Sequence, residues 1–284
     1  MKRTRITARW LAALAAVAVV AIPVASSASG GGGLVTIGVN RNYWTQFKAA
    51  IPRAQDVRVY YDVENVFPAA WPTRAVGAWV TLSLRPNPAD LLSGKLDAQL
   101  KALFASAPAH SEVTFWHENE PGNPLSYPSS VNNARANVAM LKYGENLVKG
   151  TKVRFGQIIC APANQMQQWI APGLDWYGID LFANPNYENP NGSLSKTKIW
   201  TRMNNNEAVF RAKTGRRWPA VRFDESNARR DWHRKTWFTD LAEWLQGHGG
   251  GRLLTRWTPA GSKLTGPWPP SKPVVRQLRW LSSQ

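Results

Sequence analysis

A single (β/α)8 barrel, an α/β fold of the TIM-barrel type, is the architecture that the sequence predicts. Eight short runs rich in β-branched and aromatic residues are bounded by Pro, Gly, Asn or Asp, as strands are. Most of them alternate with segments whose apolar residues recur at helical spacing. Such repeated alternation indicates a parallel sheet covered by helices. No glycine-rich phosphate loop follows any strand, which disfavours an open doubly wound sheet.

The eight predicted strands are short, as barrel strands are. In chain order they cover residues 34–40, 57–63, 76–84, 113–117, 153–159, 174–182, 220–224 and 252–257. Together with the intervening segments they span about 250 residues, the typical length of one closed barrel, and no internal boundary suggests a second domain.

The predicted helices are recognised by their apolar stripes and by the residues that stop them. In chain order they cover residues 44–50, 89–107, 130–149, 196–214, 232–246 and 273–281. In the second of these, leucines at four-residue spacing form one stripe, Pro88 precedes it and Pro108 ends it. The helix at 232–246 is followed by a run of three glycines, which ends it.

The N-terminus is predicted to lie outside the barrel. A basic start precedes an apolar stretch at 10–24, and small residues and glycines follow. This is the layout of a secretory signal peptide cleaved near Ala28. The alternative is an uncleaved membrane anchor, which Pro23 and the length of the stretch disfavour because a span needs about 20 apolar residues.

We therefore divide the chain into three parts and expect a secreted, extracellular protein without membrane attachment after cleavage. The parts are a signal peptide at 1–28, a Gly/Ser linker at 29–33 and the barrel at 34–284. The single cysteine, Cys160, excludes an intramolecular disulfide, so packing alone must stabilise the fold. We expect a monomer.

The chain is strongly basic. It carries 35 Lys and Arg against 18 Asp and Glu, and removing the four basic residues of the signal region leaves 31 against 18, a net charge of +13. Such a charge favours association with polyanions. The positive residues are scattered and form no nucleic-acid motif, so we predict no nucleic-acid binding and retain an anionic cell-wall polymer or acidic polysaccharide as a partner of the basic surface.

Two carboxylate-bearing segments follow predicted strands four and seven. The first contains Glu118 and Glu120, and the second contains Glu225. The C-terminal ends of barrel strands converge on one face, so these side chains are expected to meet across a cleft. Cleavage of a glycosidic bond needs two facing carboxyl groups, one as acid and base and the other as nucleophile or base.

At these two strand ends the sequence resembles the retaining glycoside hydrolases built on the (β/α)8 barrel, which include cellulase-like and mannanase-like families. Glu225 follows a Pro and an apolar strand at 219–224, similar to the approach to the nucleophile in that clan. The resemblance implies that Glu225 is the nucleophile, and that a glutamate at the end of strand four is the acid/base. Tyr177 and Tyr187 are imperfect matches to the tyrosine that supports the nucleophile in cellulase-like members.

Two glutamates compete for the acid/base role. Asn119-Glu120-Pro121 is similar to the Asn-Glu-Pro of cellulase-like families, and His117-Glu118 is similar to the His-Glu of mannanase-like families. If strand four continued, period-2 alternation would send both glutamate side chains to one face. We prefer Glu118, because counting from Val113 places it at the end of the strand.

The predicted function is that of a glycoside hydrolase acting on a polysaccharide or oligosaccharide by a retaining two-glutamate mechanism. Predicted substrate contacts, all at or next to strand ends, are Arg85, His117, Asn119, Asp180 and Trp257. No cofactor or metal is expected: Pro121 stands where a zinc protease motif beginning at His117 would need its second histidine. The alternative is a non-catalytic barrel that binds glycan or an anionic cell-wall polymer.

Overall fold

Eight parallel strands close into a barrel in chain order, and β8 pairs back to β1. The structure is a computed structural model that describes residues 35–72, 79–117, 134–159, 167–183, 185–215, 221–228, 231–249, 251–255 and 270–283. The strands are Val35–Asn40 (β1), Asp56–Tyr60 (β2), Trp79–Leu84 (β3), Ser111–Phe115 (β4), Val153–Ile159 (β5), Trp176–Ala183 (β6), Val221–Ala228 (β7) and Gly251–Thr255 (β8). The predicted fold class, a (β/α)8 barrel, is confirmed.

Helices cover the outside of this barrel. They are Trp44–Ala50 (α1), Pro88–Leu92 (α2), Asp97–Ala105 (α3), Ala134–Val148 (α4), Lys196–Thr214 (α5), Asp231–Gly247 (α6) and Lys272–Leu281 (α7). None of the helices in the described ranges is long and apolar enough to cross a membrane.

The single helix predicted at 89–107 is wrong: the segment forms α2 and α3. Asn87 begins α2, because its side-chain oxygen accepts hydrogen bonds from the backbone N–H groups of Ala89 and Asp90. Gly94 then adopts a φ of 79°, a left-handed conformation that favours glycine and interrupts the helix before α3. The leucine spacing continues across Gly94, so the sequence pattern gave no indication of this break.

Gly144 allows α4 to lie close against the strands beneath it. A Cβ at this position would stand 2.5 Å from the ring of Phe155 on β5 and 2.6 Å from that of Phe115 on β4. Those two rings already pack edge to face, with centroids 5.0 Å apart. Only glycine therefore fits at position 144 without a shift of these rings or of the helix.

We expect Gly144→Ala to lower the free energy of unfolding by about 2–3 kcal/mol, because both rings or the whole helix must move. Urea denaturation measures the change. The matched control is Gly247→Ala at the end of α6, where an added Cβ meets nothing within 4 Å and stability should be unchanged or slightly raised. Equal, small effects at both positions would contradict the packing argument.

Charged side chains fill the barrel interior near the N-terminal ends of the strands. Arg252 of β8 forms salt bridges with Asp56 of β2 (Nη2 to Oδ1, 2.5 Å) and with Glu112 of β4. Thr81 donates to Glu112 (Oγ1 to Oε2, 3.1 Å), and Arg154 approaches the other oxygen of that carboxylate at 3.4 Å. Asp56 and Glu112 are both fully buried, so these bonds offset the cost of removing the two carboxylates from water. We call these residues the floor cluster.

Asp240 of α6 is a buried carboxylate on the side of the helix that faces α5. Only 6% of it is exposed, and its Oδ2 has no hydrogen-bond partner within the described residues. Burial raises the pKa of Asp240 from 3.8 to about 6, the nearby Lys196 opposes that rise, and Glu243 adds to it.

Asp240→Asn should stabilise the protein at pH 7. Because the folded-state pKa is raised, the wild-type side chain is most favourable to folding below about pH 4, and that contribution is lost as the pH rises through about 6. Removing the charge should gain about 1–2 kcal/mol at pH 7, after allowance for screening, and nothing at pH 4. Thermal unfolding of both proteins between pH 4 and 8 measures the difference; a gain independent of pH would contradict this cause.

Candidate active site

A buried ion pair crosses the interior of the barrel, nearer to the C-terminal ends of the strands than the floor cluster is. Arg58 of β2 and Asp180 of β6 are 1% and 0% exposed, and Nη1 of Arg58 donates to Oδ1 of Asp180 at 3.3 Å. β2 and β6 stand on opposite sides of the closed sheet, so the bond must run through the lumen. It places a guanidinium in the middle of the barrel.

Three more side chains complete this group. The Nε of Arg58 donates to the hydroxyl of Ser83 on β3 at 3.0 Å, and its guanidinium lies 4.8 Å from the ring centre of Tyr60. His117, 4% exposed, meets the Tyr60 ring edge to face at 5.4 Å. We call Arg58, Tyr60, Ser83, His117 and Asp180 the lumen cluster. Its side chains come from β2, β3, β6 and the segment after β4.

The backbone of Glu225 lies beside this cluster. β6 and β7 pair with Ile179 opposite Phe223 and then Asp180 opposite Glu225, so one extra residue, Asp224, is accommodated in β7. The pairing of β7 with β8 shifts over the same stretch. Such bulges occur next to active sites, where they redirect side chains. The register therefore sets the predicted nucleophile next to Asp180 along the barrel wall.

Strand four ends earlier than the sequence predicts. β4 stops at Phe115, and Trp116 has a φ of 44°, unusual for a bulky residue. The indole Nε1 of Trp116 donates to the carbonyl of Pro86 at 2.6 Å, which supports this turn. The period-2 argument that put Glu118 and Glu120 on one face fails, because the strand does not continue to them.

The predicted contacts fall into three groups. His117 and Asp180 lie in the lumen cluster. Arg85 lies just beyond β3, where its guanidinium bonds the carboxylate (3.2 Å) and carbonyl (3.1 Å) of Asp62 and stacks 5.3 Å above the ring of Trp116. Arg85 thus braces the loop after β2 against the turn after β4. Outside the described residues lie Glu118, Asn119, Glu120 and Trp257.

Neither tyrosine proposed as a support for the nucleophile belongs to the lumen cluster. Tyr177 faces outward from β6: its hydroxyl donates to the carbonyl of Ala171 at 2.7 Å and accepts from the N–H of Leu174 at 3.1 Å. Tyr187 packs against Trp237 of α6, with ring centres 5.6 Å apart. The hydroxyl of Tyr177 thus bonds the backbone of the segment before β6.

Sequence reasoning missed Arg58, Tyr60 and Ser83. The signal for the first two was present, since Arg58 and Tyr60 alternate with Val57 and Val59, and polar alternation within a buried barrel strand marks the lumen side. No group of three or more His, Cys, Asp or Glu suited to a metal ion occurs in the described part of the chain.

Comparison with known proteins gives a likeness of structure only. No family sequence model and no curated protein matches this chain. Among solved structures, Cel5A of Thermotoga maritima in complex with cellobiose superposes with a TM-score of 0.56 and 11% identity over 86% of this chain and 96% of that one.

Two further structures are similar to the same extent. XEG5A, a GH5 xyloglucan-specific endo-β-1,4-glucanase from a metagenomic library in complex with cellotriose, has a TM-score of 0.51 and 14% identity over 83% of this chain and 86% of that one. PbGH5A, a family 5 glycoside hydrolase of Prevotella bryantii B14, has a TM-score of 0.53 and 10% identity over 91% and 98%. The resemblance expected from the sequence is confirmed at the level of fold: the chain has the (β/α)8 barrel of the family 5 glycoside hydrolases.

Proposed function

We propose that this chain is a secreted retaining glycoside hydrolase in which Glu225 is the nucleophile and Glu118 or Glu120 is the acid/base. The observation that supports the proposal is the register that pairs the backbone of Glu225 with that of Asp180, whose carboxylate binds the buried Arg58, on a barrel similar to that of family 5 glycoside hydrolases. A guanidinium near a carboxylate favours its ionised form, which a nucleophile needs. Secretion is proposed from the N-terminal layout of the sequence.

In the first step, a carboxylate oxygen of Glu225 attacks the anomeric carbon of the sugar. The bond from that carbon to the glycosidic oxygen breaks, and the departing oxygen takes the proton of the strand-four glutamate. A glycosyl ester on Glu225 results. In the second step, the same glutamate removes a proton from water, whose oxygen attacks the anomeric carbon and releases Glu225. Two inversions leave the configuration retained.

In this scheme, His117 and Asp180 do not react with the sugar but help to position other groups of the site. Tyr60 holds the ring of His117 at the point where the chain leaves β4 towards the acid/base candidates, and Asp180 fixes the orientation of Arg58. Arg85 holds the adjoining loop against Trp116. The proposed substrates are neutral β-linked polysaccharides, since similar structures were solved with cellotriose and cellobiose.

The test is release of reducing sugars by the mature chain from a panel of β-glucan, xyloglucan, β-mannan and bacterial wall polysaccharides. Proton NMR of the first product identifies the anomeric configuration, which should be that of the substrate. Inversion would contradict the mechanism. Binding of a polysaccharide without release of sugar would instead support the non-catalytic barrel.

The choice between Glu118 and Glu120 is tested by replacing each with alanine. An aryl glycoside with a weakly basic leaving group needs little help from an acid, so the acid/base variant should keep its first step on that substrate and lose activity on polysaccharide. The other variant should behave like wild type on both. Equal behaviour of the two variants would contradict the assignment of one acid/base in this segment.

A further inference from the structure

The chain has a side that is basic and free of acidic residues in its sequence. Residues 35–55 and 244–284 contain nine Lys and Arg and no Asp or Glu, although the chain has 18 acidic residues. The guanidinium of Arg279 on α7 donates to the carbonyl of Ala50, the last residue of α1. This bond joins the helices of the two segments, so Lys48 of α1 lies on the same flank of the barrel as the cations of α7. Arg252, in the second segment, belongs instead to the floor cluster inside the barrel.

Two acidic residues of the neighbouring helix, Glu243 and Asp240, lie towards α5 and away from this flank. α6 packs beside α7, but its Glu243 pairs with Lys196 of α5, on the opposite side of α6. Asp240 is buried against the same helix, α5. Within the described ranges, Lys272 and Arg276 form no salt bridge with a carboxylate.

A groove of about 360 Å³ runs along this flank. It is lined by Pro270, Lys272, Val275, Arg276 and Arg279. The three cations stand three or four residues apart on one side of α7, and four residues of helix rise about 6 Å, close to the length of one sugar ring in a chain. Pro270 and Val275 supply apolar surface between the charges.

An exposed aromatic side chain lies on the same helix as the cations of the groove. Trp280 follows Arg276 by one helical turn and is 48% exposed. No other large aromatic side chain in the described part of the chain is as exposed. An exposed indole next to cations offers an apolar platform on which the face of a sugar ring can lie.

We propose that this groove binds an acidic polysaccharide, a chain of sugars bearing carboxylate groups. Guanidinium groups bind carboxylates through paired hydrogen bonds, and the apolar surface and Trp280 fit the faces of the rings between those groups. Single-stranded nucleic acid fits less well, because its binding depends on several aromatic side chains for successive bases. The groove lies on the flank, so the bound polymer leaves the barrel mouth open.

The experiment measures binding of the mature chain to polygalacturonate by affinity electrophoresis in low salt. The test variant is Lys272→Gln/Arg276→Gln/Arg279→Gln. The control variant, Lys149→Gln/Lys152→Gln/Lys213→Gln, removes the same charge from exposed positions elsewhere. A second test variant, Lys272→Gln/Arg276→Gln, keeps the bond of Arg279 to α1. Methyl-esterified polygalacturonate, single-stranded DNA and polyphosphate serve as comparison ligands.

We expect the triple variant to raise the dissociation constant for polygalacturonate at least tenfold, the double variant several-fold and the control less than threefold. The esterified polymer should bind far more weakly. Equal weakening in test and control variants would show that net charge alone attracts the polymer and would overturn the proposal, as would failure of wild type to bind or tighter binding of DNA or polyphosphate. Activity on a neutral soluble polysaccharide should be the same in all variants, which separates this proposal from that of the active site.

Discussion

Replacing Glu225 by alanine is expected to lower kcat at least about 10⁴-fold, the largest effect of any single change on activity, because no other group can form the glycosyl ester. Initial rates on the best polysaccharide of the panel measure the loss. KM should change much less, since the carboxylate acts at the reacting carbon and contributes little to binding of the rest of the substrate.

Azide provides the control for this variant. The anion can occupy the space left by the carboxylate and attack the anomeric carbon of an aryl glycoside, giving a glycosyl azide of inverted configuration. In the acid/base variant, azide attacks the glycosyl ester on Glu225 and the azide product has retained configuration. A retained azide product from Glu225→Ala would exclude Glu225 as the nucleophile.

Asp180→Asn is expected to have the largest effect on stability, lowering the free energy of unfolding by about 3 kcal/mol. The change keeps the shape of the side chain but removes the negative charge that binds the guanidinium of Arg58, which is 1% exposed. For a chain of this length the loss corresponds to a fall in Tm of about 6–12 °C. Urea denaturation and calorimetry measure it.

A double variant tests whether the buried charge of Arg58 causes this loss of stability. Arg58→Met/Asp180→Leu removes both charges, so it should be more stable than Asp180→Asn. Lys101→Gln is the surface control: it breaks an exposed pair with Asp97 and should cost less than about 1 kcal/mol. Asp180→Asn as stable as wild type would show that the pair does not matter to the fold.

The sequence predicts regular elements well where local signals and packing agree. The strand at Val153–Ile159 and the helices at Trp44–Ala50 and Lys196–Thr214 have the predicted bounds. The longer helix has signals at both ends, since the side chain of Ser195 accepts from the N–H of Lys198 and Gly215 adopts a left-handed φ of 70°. The end of β4 was missed because an aromatic residue such as Trp116 normally favours strand, and its left-handed φ depends on a bond to Pro86.

The lumen cluster could be predicted only in part. Arg58 and Asp180 are 122 residues apart, and their contact exists only because the sheet closes and brings β2 opposite β6. Positions at strand ends identified Asp180 and His117, but the pairing of Asp180 with Arg58 requires the shear of the closed barrel, which no local pattern encodes.

The floor cluster affects the order of events during biosynthesis. Asp56 and Glu112 are synthesised before Arg252, which lies on the last strand and forms salt bridges with both. A nascent chain that has not yet reached β8 lacks the salt bridges of Arg252 to Asp56 and Glu112, although Arg154 of β5 still approaches Glu112. Burial of the two carboxylates is then less favourable, which disfavours a compact half-barrel. We therefore expect folding to be delayed until β8 has been synthesised. A fragment ending at residue 249 should accordingly be digested rapidly by protease under conditions in which the whole chain resists.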